Sequence, residues 1–99
     1  MNPSNPPEIV LVGAHWTTHE DFYNTLLPLL GAPDWHGHNL DALWDSIVTG
    51  HINRVNPPFK VRITGVAVMS TNCKKLVDRF VDLVSEARAE GIAVEVVCQ

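Results

Sequence analysis

Three short apolar segments, Glu8–Val12, Phe59–Thr64 and Ile92–Cys98, lie far apart in the chain, and each is separated from the next by residues with helical periodicity. No tight turn joins any two of them, so they cannot pair as hairpins. Strands that alternate with helices pair in parallel through crossovers, and such crossovers are right-handed almost without exception. The order strand, helices, strand, helices, strand therefore implies an α/β fold built on a small parallel sheet. A chain of 99 residues has room for one such core, which excludes a cleft between two lobes. Residues 1–7, with Pro3, Pro6 and Pro7, form a short disordered or extended leader, and residues 8–99 form a single domain.

The first apolar run, Glu8-Ile-Val-Leu-Val12, is almost unbroken, the pattern of a strand buried on both faces. Thr17 or Thr18 can cap the helix that follows, Glu20 and Asp21 place acidic groups in its first turn, and Phe22, Leu26, Leu29 and Leu30 supply an apolar stripe. Pro28 kinks this helix or ends its regular part, and Gly31 closes it. Asn39 caps a shorter helix from Leu40 to about Val48, with Leu40, Leu43 and Ile47 inward and Thr49-Gly50 as a left-handed stop. The alternation of Phe59, Val61 and Ile63 with polar residues marks the second strand, after the break at Asn56-Pro-Pro58. Residues 65–75 fit no single pattern. From about Lys74 to Glu90, Val77, Phe80, Val81, Val84 and Ala87 recur at helical spacing before Gly91 and the last strand.

Composition narrows the function. Seven Lys and Arg against eleven Asp and Glu give a formal charge of -4, which argues against binding to a nucleic-acid backbone and for a basic partner. No apolar run approaches the ~20 residues that span a bilayer, and the N-terminus lacks the basic and apolar regions of a signal peptide, so a cytoplasmic protein is expected. Cys73 and Cys98 are too few for a disulfide framework and read as reduced thiols.

The chemistry gathers in Trp35-His-Gly-His-Asn-Leu-Asp-Ala-Leu-Trp-Asp45. Asp41 and Asp45, four residues apart, share one helix face beside Trp44. Like charges at that spacing cost an isolated helix ~0.2–0.5 kcal/mol. Asp45 also lies toward the helix C-terminus, where the macrodipole disfavours an anion. The pair is either a solvated face or a binding surface. Trp44 and Trp35 bear on that choice, since exposed aromatic area beside charge is typical of hot spots, although Trp44 can equally belong to the core.

Gly37-His-Asn-Leu-Asp-Ala-Leu-Trp-Asp45, with an aromatic residue just upstream, resembles the barstar family of intracellular ribonuclease inhibitors. The likeness is nearly word for word from Asn39 to Asp45, and Glu86-Ala-Arg-Ala-Glu-Gly91 is a second match at the end of the last long helix. Elsewhere from Ile9 to Cys98 the agreement is one of element order and spacing. The resemblance implies a three-stranded parallel sheet covered by helices and no cofactor. It also implies an antidote or immunity protein, monomeric before binding, whose second helix and preceding loop plug the active site of a small basic ribonuclease. By position, Asp45 is the implied phosphate mimic and Asp41 pairs with basic residues beside it. Trp35, Gly37, Asn39, Trp44, Thr49 and Gly50 form the implied contact surface, and Glu86 adds a peripheral ion pair. This chain departs from the family pattern at His36 and His38, where the best-known member of that family has a tyrosine and a glutamate. The segment between Asp45 and Gly50 is also one residue longer.

Two other classes remain open. His36, His38, Asp41 and Cys73 carry the residue types of a small metal- or cysteine-dependent enzyme, but a lone His-x-His pair is a weak metal signal and a cysteine in a small chain is more often an inert hydrophobe. A non-inhibitory acidic interaction module is the other. In the inhibitor reading, protonation of His36 and His38, which ordinarily occurs near ~6.5, places positive charge beside Asp41 and Asp45 and weakens partner binding.

Overall fold

A computed structural model of the chain describes residues 6–99; residues 1–5 of the proline-rich leader lie outside the described residues. Strands β1 (Glu8–Val12), β2 (Phe59–Thr64) and β3 (Val94–Cys98) form a parallel sheet in the order β1-β2-β3. Ile9 pairs with Val61 and Leu11 with Ile63, while Val61 pairs with Val96. The Pro7 carbonyl extends the β1–β2 ladder by accepting from Lys60 N–H at 2.9 Å.

Helices α1 (His19–Leu30), α2 (Leu40–Trp44) and α3 (Thr71–Ala89) cover one face of this sheet. Ile9, Leu11, Phe59, Val61, Ile63 and Val94 from the sheet meet Phe22, Leu26 and Leu30 of α1, Leu43 of α2, and Leu76, Phe80 and Val84 of α3 in one core. Phe22 sits at its centre, edge-on to Trp16, Tyr23 and Phe80 with ring centroids 5.0 to 5.7 Å apart.

The doubly buried β1 expected from its apolar run is not observed. Val10 and Val12 are exposed, Val12 by 64%, because helices cover only one side of the sheet and β1 is an edge strand. On that open side Arg62 reaches from β2 to make two 3.1 Å hydrogen bonds to the Glu8 carboxylate, which they hold below its usual titration range.

The helix boundaries carry further corrections. Leu29 is exposed, and Tyr23 and Leu27 are buried in its place, since they lie one turn apart beside the Phe22–Leu26–Leu30 row. Pro28 sits inside the last turn of α1, which continues to Leu30 and closes at Gly31 in the left-handed region, φ 67° and ψ 35°. Residues 65–75 resolve into a 3₁₀ turn, Val66–Val68, and the first turn of α3. That helix begins at Thr71, ahead of the expected Lys74, because the Ser70 hydroxyl accepts from Cys73 N–H at 3.3 Å as its N-cap. The third strand begins at Val94, two residues later than expected. Both cysteines are free, Cys73 buried and Cys98 exposed.

The start of α1 yields a test. Asp21 Oδ2 accepts from the backbone N–H of Thr17 at 2.7 Å and of Thr18 at 3.1 Å, and these bonds hold its carboxyl below its usual range. A carboxylate with a lowered folded-state pKa contributes stability that is complete above its unfolded value and is lost as pH falls through the folded one. Asp21→Asn is therefore expected to lower the melting temperature by a few degrees at neutral pH. The difference between variant and parent should shrink on acidification below about pH 4. An unchanged difference at neutral and acidic pH would show that the charge contributes nothing.

Candidate partner-binding surface

The surface begins in the loop after α1. Asn39 has extended backbone, φ -155° and ψ 163°, and its Oδ1 accepts from Ala42 N–H at 2.7 Å, so it caps α2 as its residue type predicts. Gly37 sits tightly beneath that cap. A Cβ there would lie 2.9 Å from Asn39 Nδ2 and 3.2 Å from the Ala42 Cβ.

The expected helix from Leu40 to Val48 is two structures in series. The α-helical hydrogen bonding ends at Trp44, and Asp45–Thr49 is a π-helical turn. Its five residues coincide with the segment before Gly50 that the resemblance made one residue longer than expected. The wide turn ends at Gly50 with φ 77° and ψ -178°, a positive φ outside the expected left-handed helical region. His51 follows at φ 66°, uncommon for a residue with a side chain, and its N–H donates to Asn56 Oδ1 at 3.2 Å. π-Turns are rare and occur often at functional sites.

Asp41 and Asp45 are both exposed, and neither takes part in the three ion pairs found among the described residues, Glu20–His38, Glu8–Arg62 and Glu95–Arg88. Trp35 projects from the loop, 74% exposed, whereas Trp44 is half-buried and packs against the core. Trp44 thus supports the fold with one part of its ring system and leaves the rest accessible. Asp41, Trp44 and Glu86 line one groove of about 400 Å³ between α2 and α3, together with Leu40, Arg79, Asp82 and Leu83. Glu86 is thereby brought to the acidic face despite lying 45 residues after Asp41. Thr49 is exposed and Gly50 half-buried at the far end of the π-turn.

The two histidines part company. His36 is 5% exposed and points inward. Its ring Nδ1 lies 2.8 Å from the Gly37 carbonyl, which can only accept, so Nδ1 carries a proton. Its Nε2 lies 2.9 Å from the Ser46 hydroxyl, which is also 3.2 Å from the Leu43 carbonyl. His36 therefore joins the loop to the π-turn. His38 points the other way, with Nδ1 2.6 Å from Glu20 Oε2 and its ring stacked on Tyr23 at 5.7 Å. Burial first, and the Glu20 charge second, raise the Tyr23 phenol above its usual range.

The expectation that both imidazoles sit beside Asp41 and Asp45 is thus revised: His36 is buried and bonds Gly37 and Ser46, and His38 shares a groove with Asp41 but the carboxylate it bonds is Glu20. Nor do the residues of the enzyme alternative converge. Cys73 is buried with its thiol 3.7 Å from the Thr18 carbonyl, and among the described residues no three His, Cys, Asp or Glu side chains are grouped to hold a metal ion. Sequence reasoning missed Ser46, Glu20 and Tyr23. The extra residue before Gly50 signalled an irregular helix around Ser46, but nothing local could join Glu20 to a histidine 18 residues away.

No helix among the described residues is long and apolar enough to cross a membrane. No curated protein matches the chain. A family model described as Barstar (barnase inhibitor) matches residues 7–99, which takes in the whole sheet, all three helices and the acidic surface. A three-stranded parallel sheet covered by helices is the fold that the motif around Asp41 and Asp45 implied, and with this match the chain belongs to the barstar family.

Proposed function

We propose that this chain inhibits a small basic ribonuclease by covering its active site with α2, the π-turn and the loop 34–39. The observation that carries this reading is the pair Asp41 on α2 and Asp45 at the start of the π-turn, four residues apart, exposed, unpaired among the described residues and accompanied by the exposed Trp35. Such a pair disfavours its own helix, so a cationic partner is what would make it favourable. In this role Asp45 occupies the nuclease's phosphate site and Asp41 pairs with the cations beside it. Trp35, Gly37, Asn39, Trp44, Thr49 and Gly50 supply the surrounding contacts, and Glu86 adds an ion pair from α3. The net charge of -4 favours rapid encounter with a basic cleft, an effect for which barnase with barstar is itself a standard illustration. The protein acts as a monomer in the cytoplasm of the cell that makes it, without a cofactor and without contacting RNA.

The test is capture from the source cell on the immobilised protein, followed by an RNA-hydrolysis assay of the captured fraction with and without added inhibitor, with barnase as a reference nuclease. A captured ribonuclease that is silenced at equimolar inhibitor, with affinity falling steeply as salt is added, is the expected result. Undiminished RNA hydrolysis in the presence of excess folded protein, or tight binding of the protein to RNA itself, would overturn the reading.

A further inference from the structure

The loop that carries Trp35, Gly37 and Asn39 has little regular structure, and the groups that fix it lie outside it. His36 ties its inner side to Ser46. The outer side is held differently. His38 Nδ1 is 2.6 Å from Glu20 Oε2, and the imidazole lies nearly parallel to the Tyr23 ring, with centroids 5.7 Å apart and planes 20° from each other. Glu20 and Tyr23 stand three residues apart near the start of α1, so one helix face presents both the carboxylate and the stacking surface. Tyr23 is itself buried and packed edge-on against Phe22, which anchors the platform in the core.

We propose that His38 is a positioning residue: clamped between Glu20 and Tyr23, it holds the loop 34–39 against α1 in the one arrangement that presents Trp35, Gly37 and Asn39 together. The role in binding rests on the inhibitor reading above, whereas the clamp itself is a property of the free protein. A loop ordered before encounter loses less conformational freedom on binding.

With a carboxylate as acceptor, the bond that His38 makes to Glu20 is charge-assisted. The two grooves that His38 borders are also lined by His19, Glu20 and Tyr23 from α1, Asp41 from α2 and Arg79 from α3, with Asp34 and His36 on the loop side. His19, when protonated, and Arg79 oppose a charged imidazole while Asp34 and Asp41 favour it, but only Glu20 is within hydrogen-bonding distance. The side chains of His38 and Glu20 are 38% and 60% exposed, so solvent screens the pair and its effect on loop opening amounts to roughly a factor of two to five.

Amide hydrogen exchange followed by NMR on the free protein decides the matter, with Glu20→Gln and His38→Ala compared with the parent. Both variants should speed exchange of the His36 N–H, which donates to the Pro33 carbonyl at 3.0 Å, roughly two- to fivefold while leaving the amides of α3 unchanged, and the double variant should be no worse than either single one. Loop exchange indifferent to both substitutions, or effects of the two that add in the double variant, would overturn the clamp. A parent protein that binds no ribonuclease would refute the inhibitor reading instead, and the exchange data would still decide whether His38 positions the loop.

Discussion

Asp45→Ala is expected to lose most of the affinity for the partner ribonuclease while melting no lower than the parent. The residue lies at the junction of α2 and the π-turn, exposed, and takes part in none of the ion pairs among the described residues. Its charge is one turn from Asp41 and on the unfavourable side of the helix dipole. Removing it relieves repulsion in the free protein. In the proposed complex the same charge would face basic groups in a desolvated cleft, and its loss should cost at least about 2 kcal/mol, the general hot-spot threshold, to which the barnase–barstar interface itself contributes. Inhibition and melting temperature measured on one preparation separate the two effects. Full inhibition by a folded variant would remove Asp45 from the mechanism, and a large fall in melting temperature would make it a residue of the fold.

His36→Ala should do the opposite and destabilise the fold outright, by about 2–4 kcal/mol. The imidazole is buried, donates to the Gly37 carbonyl at 2.8 Å and lies 2.9 Å from the Ser46 hydroxyl. Truncation leaves a space beside α2, deprives the Gly37 carbonyl of its donor, and limits Ser46 to its 3.2 Å contact with Leu43. Urea titration at constant slope measures the loss as a shift of midpoint. A loss below about 0.5 kcal/mol would mean that the loop and the π-turn do not depend on this link.

Where regular periodicity is strong, the sequence already displays the fold. The alternation of Phe59, Val61 and Ile63 and the spacing of Val77, Phe80, Val84 and Ala87 survive unchanged in β2 and α3, because each side chain's fate follows from its own neighbours. Asn39 capped α2 for the same reason. The failures occur where a distant partner decides. An apolar run such as Ile9-Val-Leu-Val12 is compatible with cover on one side or both, and only the placement of the helices on a single face leaves Val10 and Val12 outside. The α-to-π change at Asp45 alters no residue type, only which carbonyl each N–H meets. His36 and His38 look alike in the chain, yet one is taken by Ser46 ten residues on and the other by Glu20 eighteen residues back. The acidic motif was legible because it is local, and the scaffolding that orients it was not.

The π-turn has a bearing on how such a surface can diverge. Inserting one residue into an ordinary α-helix rotates everything downstream by about 100°, which here would swing inward-facing side chains toward solvent. The single wider turn avoids that rotation: Ser46 and Ile47 stay buried within it, while Thr49 lies exposed and Gly50 half-buried at its end. In this chain the rim at Thr49 and Gly50 is thereby uncoupled from the packing beneath it, so a change of length there is expected to leave the hydrophobic interior in place.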